Sequence, residues 1–158
     1  MKNVFVIALI FFTGCSLAAQ NKILPSTRPA DLQVSYHYDG GMLYYMEDLT
    51  LNNDSCVYIK NDGGKKITKR FTLSTAEMDA LYGILLSNKF DQIEAKVETG
   101  VYDRGGISIS MYWDNSKRSV KVSDAQTSFV TANWRSEWQR VVAYMTNLIQ
   151  TKPGNPIK

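Results

Sequence analysis

Apolar and polar positions divide the chain into a short apolar leader, a polar connecting stretch and a patterned body. Leu32, Val34, Tyr36 and Tyr38 alternate with Gln33, Ser35 and His37. A period of two sends alternate side chains to opposite faces, so this segment reads as a half-buried β-strand. Asp39-Gly40-Gly41 ends it. Tyr44 to Leu51 carries a weaker strand pattern, and the turn cluster Asn52-Asn53-Asp54-Ser55 precedes a third strand at Cys56 to Lys60. Asn61-Asp62-Gly63-Gly64 is the strongest hairpin signal, because Asp-Gly and Gly-Gly tolerate the positive φ angles of tight turns. A return strand through Ile67, Phe71 and Leu73 completes an antiparallel meander.

Ser74-Thr75-Ala76-Glu77 then has the form of a capping box, flanked by Leu73 and Met78 as a hydrophobic staple. The helix it opens buries Met78, Leu81, Tyr82 and Leu85 and stops near Asn88, and Phe90 and Ile93 fold back onto the core. After a loop containing Tyr102-Asp103-Arg104-Gly105-Gly106, Ile107, Ile109, Met111 and Trp113 alternate with Ser108, Ser110 and Tyr112. That strand turns at Asp114-Asn115-Ser116 into Lys117 to Val122. Trp134, Trp138, Val141, Val142, Met145, Leu148 and Ile149 form one apolar stripe at helical spacing, closed by Lys152 and Pro153. The order β-β-β-β-α-β-β-α predicts an α+β two-layer sandwich, an antiparallel sheet of about five to six strands with two amphipathic helices on one face.

The leader changes the picture from fold to address. Lys2 precedes nine unbroken apolar residues, Val4 to Phe12. At about 1.5 Å per residue these cover less than half of a hydrocarbon core of roughly 30 Å, so 1–20 reads as an export signal and not as a spanning helix. Two cleavage chemistries compete. Phe12-Thr13-Gly14-Cys15 resembles the lipobox of bacterial lipoproteins, with Phe12 and Thr13 where the pattern prefers Leu and a small residue. Cleavage there falls before Cys15, whose sulfur would carry the lipid. Ser16-Leu17-Ala18 instead offers ordinary cleavage after Ala18. The lipoprotein reading is the stronger, because only Thr13 and Gly14 separate Cys15 from the apolar run, a placement uncommon by chance. Residues 16–31, with Pro25 and Pro29, read as a tether, 32–152 as a single domain and 153–158 as a tail.

Composition is ordinary globular material, 44% apolar and 21% charged, and the net charge of +3 does not by itself imply nucleic acid as a partner. The basic cluster Lys60, Lys65, Lys66, Lys69 and Arg70 reads as a solvated hairpin whose charges discourage edge pairing, in preference to a binding patch. Once the leader is removed Cys56 is the last thiol, and its neighbours Val57, Tyr58 and Ile59 point to a buried, inert position.

The chemistry on offer is sparse. His37 is the only histidine, which excludes any site built on two imidazoles, and there is no Cys-x-x-Cys, P-loop or Gly-x-Ser-x-Gly. A His37–Cys56 dyad is disfavoured, because His37 has the polar phase of its strand. Arg104 can be read as a rim residue for a carboxylate or sugar; the preferred reading is structural, with Asp103 pairing or capping the turn and the glycines permitting close backbone approach. Tyr44, Tyr45 and Tyr112 would bind a glycan or partner if they shared an exposed face, whereas Tyr36 and Tyr38 have the inward phase. Glu47, Asp48, Glu94 and Glu98 cannot be paired from sequence, and Asn52-Asn53-Asp54 is too short for a calcium loop. The reading assigns no catalytic residue, no metal and no cofactor.

Tyr36-His37-Tyr38-Asp39-Gly40-Gly41-Met42, Leu73-Ser74-x-x-Glu77-x-x-x-Leu81-Tyr82, Phe90-Asp91 and Tyr102-Asp103-Arg104-Gly105-Gly106-Ile107-Ser108-Ile109 together resemble a group of small exported proteins of Gram-negative bacteria, many with lipoprotein signals. The resemblance implies an envelope location and transfers no catalytic residue. The resulting expectation is a non-enzymatic module in the periplasm or at the outer membrane, anchored through Cys15, that binds a protein or glycan ligand. A soluble periplasmic or secreted form is the alternative location. The alternative functions are a hydrolase of carbohydrate or peptidoglycan and a periplasmic enzyme inhibitor. A cluster of Asp or Glu in an aromatic-lined cleft would favour the hydrolase, and a convex apolar patch with no cleft the binding module.

Overall fold

The computed structural model describes residues 24–152; the export signal, Cys15 with both cleavage positions, and the tail 153–158 lie outside the described residues. The elements follow the chain as β1 (Gln33–Asp39), β2 (Tyr45–Leu51), β3 (Cys56–Asp62), β4 (Lys65–Phe71), α1 (Thr75–Ser87), β5 (Ala95–Val97), β6 (Gly106–Trp113), β7 (Arg118–Asp124), β8 (Ser128–Val130) and α2 (Arg135–Thr151). Six strands form one antiparallel sheet in the order β4-β3-β2-β1-β6-β7. The first four are a meander, and the crossover through α1 carries the chain to the other side of β1, where β6 pairs with it.

Alternation decides which face is covered. Val34, Tyr36, Leu49, Leu51, Ile109, Met111, Val120 and Val122 are buried, and they pack with Met78, Leu81, Leu85, Trp138, Val141 and Met145 of the two helices. The intervening Ser35, His37, Asp48, Thr50, Ser108 and Lys121 line the opposite face, which is polar and needs no cover. Burying a Leu, Ile or Phe side chain contributes about 1.5–3 kcal/mol, so this single layer interface supplies most of the stabilisation. The expected two-layer α+β sandwich is therefore the fold. Ser74 caps α1 through the reciprocal box with Glu77, and Asn88 closes it, with its Nδ2 donating to the Ile84 carbonyl.

Two features depart from the sequence reading. A second, two-stranded sheet of β5 and β8 was not expected; its three-residue strands are too short for alternation to register. Residues 24–31 do not behave as tether. Leu24 is buried and its N–H donates to Asp91 Oδ2 at 3.1 Å, the Pro25 carbonyl accepts from Tyr82 Oη, and Arg28 pairs with Asp79 at 2.6 Å. This strap runs back along α1, held by one apolar anchor and polar contacts that carry no periodicity.

Candidate functional site

Three connections meet at one end of the large sheet: residues 40–44 between β1 and β2, the turn at Gly63-Gly64, and the loop 98–105 before β6. Register brings them together, because Tyr45 faces Asp62 and Asp39 faces Gly106 at the same end of their strands. The Gly63 N–H donates to the Tyr44 carbonyl at 2.9 Å, tying the first two connections. Gly41 (φ +64°) and Gly105 bring the first against the third. A Cβ at Gly41 would fall on the Asp103 carbonyl, and one at Gly105 on the Asp39 carbonyl. Only glycine permits that approach.

Met42, Leu43 and Tyr44 stand at this tip, 77%, 73% and 91% exposed, and Tyr102 in the neighbouring loop is 84% exposed. Single exposed apolar residues are common, whereas this run and the exposed aromatic of the neighbouring loop together form an exposed apolar patch. Between the two hairpins lies a cavity of about 530 Å³, walled by Leu43, Tyr44, Tyr45 and Met46, with Asp39 and Asn61 as its polar side chains. Asp39 is oriented by the Gly41 N–H on Oδ1 at 2.9 Å and by Gln126 Nε2 on Oδ2 at 3.3 Å. Asn61 Oδ1 is buried without a hydrogen-bond partner.

Arg104 braces this end from inside. Its guanidinium donates to the Ser128 carbonyl at 2.8 Å and to Asp124 Oδ1 at 2.8 Å, and lies over the Phe129 ring at 4.0 Å. Arg135 of α2 takes the other oxygen of Asp124 at 2.5 Å. One carboxylate thus joins the loop 98–105, the end of β7 and the start of α2. The preferred structural reading of the motif holds for the close backbone approach of its glycines. The network, however, is carried by Arg104 and not by Asp103, which contributes a left-handed turn residue (φ +55°).

The other sequence candidates are dispersed. On the covered face, Glu47 accepts from Tyr45 Oη at 2.7 Å and Tyr58 Oη at 2.6 Å. The hydrogen bond to Glu47 pushes the Tyr45 phenol up to about 12, and burial together with Glu47 raises that of Tyr58. Both phenols are therefore donors at neutral pH, not bases. Tyr112 lies on the opposite face from Tyr45, so the trio with Tyr44 does not share a surface. On the polar face, His37 Nδ1 meets Asp48 Oδ1 at 2.7 Å, and Ser108 follows in the same row. This repeats the order carboxylate, imidazole, hydroxyl, yet Ser108 Oγ bonds to Ser123 Oγ at 2.9 Å. β1 and β6 are interior strands whose N–H groups serve the ladders, leaving no oxyanion donors. Cys56 is buried on the covered face, with its thiol raised by desolvation, and cannot meet His37. Glu98 pairs with Lys96 at 2.6 Å. Glu47, Asp48 and Glu98 thus do not converge.

Among the described residues no group of three His, Cys, Asp or Glu side chains is placed to hold a metal ion, and no helix is long and apolar enough to cross a membrane. Lys65, Lys66, Lys69 and Arg70 lie on β4, the edge strand, where charge blocks further pairing. Comparison with protein-family models and with curated proteins gave no match. Sequence reasoning passed over Asp39, Leu43 and Asn61. The signal for the tip was an apolar run, Met42 to Tyr45, directly after Gly40-Gly41, where a turn would ordinarily be polar.

Proposed function

We propose that this chain is a non-enzymatic recognition module of the bacterial envelope, tethered through Cys15, that engages its ligand with the hairpin end of the sheet. The exposed run Met42-Leu43-Tyr44 beside Tyr102 carries this reading, since nothing in the described fold uses those side chains. Their loops are braced by backbone contacts and by Arg104, which lowers the ordering cost of binding. The dispersal of the carboxylates supplies no support for the hydrolase alternative. A photo-reactive amino acid at position 44 in the exported protein tests the reading. Expected is a discrete adduct from position 44, absent from Asp54 at the opposite end of the sheet and lost when Met42 and Leu43 are both replaced by Asp. Equal labelling from both positions, or adducts from Asp54 alone, would overturn it.

A further inference from the structure

We infer that Met42, Leu43 and Tyr44 insert into the interfacial layer of the membrane that carries the Cys15 anchor, so that the hairpin end of the sheet docks on lipid. This rests on the reading of that end as the recognition surface and of Cys15 as the anchor, and it names the lipid surface as the ligand. Of the eight large apolar side chains exposed among the described residues, five belong to this end: Met42, Leu43, Tyr44, Met46 and Tyr102. No residue from Gly40 to Met46 is charged. The charged side chains that flank this run, Asp62, Lys65 and Lys66 on the neighbouring hairpin and Asp103 beside Tyr102, balance in sign, so apolar burial and not net charge drives the contact.

The tip is built to leave water. Of the six N–H groups from Gly40 to Tyr45, those of Gly40, Leu43 and Tyr45 donate to carbonyls of the same loop and that of Gly41 donates to Asp39 Oδ1, while the Tyr44 carbonyl accepts from the Gly63 N–H. The acyl boundary of a bilayer offers few hydrogen-bond partners, so a loop that supplies its own gives up little there. Tyr44 and Tyr102 each add an apolar ring with a polar hydroxyl, the form that settles at the headgroup level.

The place where the tether joins the fold favours lipid over a protein partner. α1 begins after β4 at the end of the sheet opposite the tip, and Asp91 follows its last turn. The strap starts there, with Leu24 on Asp91, and runs away from the tip until Ala30 meets Asn53 and Asp31 meets Asn115 in the far turns. The anchor therefore holds the half of the molecule that carries the tip. Cys15 to Leu24 is nine residues, a reach of about 30 Å at most. Insertion is then intramolecular, and three apolar side chains suffice where a free protein would need more.

The test uses the mature protein extracted from the envelope and reconstituted into protein-free vesicles of phosphatidylethanolamine and phosphatidylglycerol, with or without bromine on the acyl chains. Tyr44→Trp places a reporter at the tip and Asp54→Trp one at the opposite end, each read against the native tryptophans. Expected is that brominated lipid lowers the added fluorescence at position 44 at least twofold, leaves that at position 54 unchanged, and loses its effect at position 44 when Met42 and Leu43 are both replaced by Asp. The melting temperature of each variant separates lost insertion from lost folding. No quenching at position 44, equal quenching at both positions, or quenching undiminished by the two Asp substitutions in folded protein would each overturn the inference. An exported chain whose intact mass shows no acyl group at Cys15 would overturn the anchor and this inference with it. A protein photo-adduct from position 44 in the intact envelope, without quenching in vesicles, would overturn this inference and leave the proposed recognition surface standing; absence of both would overturn the two together.

Discussion

At the scale of single residues, Asp124 and Cys56 show how burial separates structural from reactive groups. Asp124 satisfies two guanidinium groups at once, so its removal leaves Arg104 and Arg135 facing each other across a partly dry junction. Asp124→Ala is expected to cost about 2–4 kcal/mol, less than a fully buried pair because Arg135 keeps contact with solvent. Chemical denaturation of the purified variant checks it. The Cys56 thiol is enclosed and its ionisation is disfavoured by desolvation. Iodoacetamide at pH 7 should leave the native protein unmodified at this position and alkylate it after unfolding, as read by intact mass. None of these partners could be named from sequence: Arg104 and Asp124 are twenty positions apart, and only the register of β6 on β7 and the turn into β8 make them neighbours.

At the scale of elements, the local signals were the most legible. The capping box at Ser74, the buried positions Met78, Leu81, Tyr82 and Leu85, and the stop at Asn88 are all present, because each depends on residues within a few positions of one another. Glu77 also receives Lys152 from the end of α2, and this contact, followed by the Ser74 bonds, lowers its carboxyl from 4.5 to about 2. A carboxyl lowered on folding stabilises the fold above its unfolded value and loses that contribution as pH falls through the folded one. Glu77→Gln should therefore melt below wild type at pH 7, with the gap closing as pH drops from 4.5 toward about 2. A gap unchanged at pH 2 would show that the carboxylate charge is not involved. Gly41→Ala and Gly105→Ala should each cost about 1–3 kcal/mol, since a methyl at either position meets a carbonyl oxygen of the neighbouring loop. β5 and β8 escaped the sequence reading because three residues do not make a period, and all three residues of β5 are exposed.

At the scale of the whole molecule, the layering followed from alternation: apolar phases of five strands face the helices and polar phases face away. The position of the proposed recognition surface did not follow, since it arises where three connections of different sequence distance converge. Met42, Leu43 and Tyr44 carried a local signal, whereas the cavity needed the pairing of Tyr45 with Asp62. Because the core and the tip share no side chains, Met42→Asp with Leu43→Asp should leave the melting temperature within about 2 °C of wild type while abolishing ligand contact. Hydrogen–deuterium exchange of the mature protein, with and without an isolated envelope fraction, maps that contact most directly. The account predicts added protection at residues 40–46, 61–64 and 102–105 and none on α1 or α2. Protection confined to the helices or to the polar sheet face would contradict it.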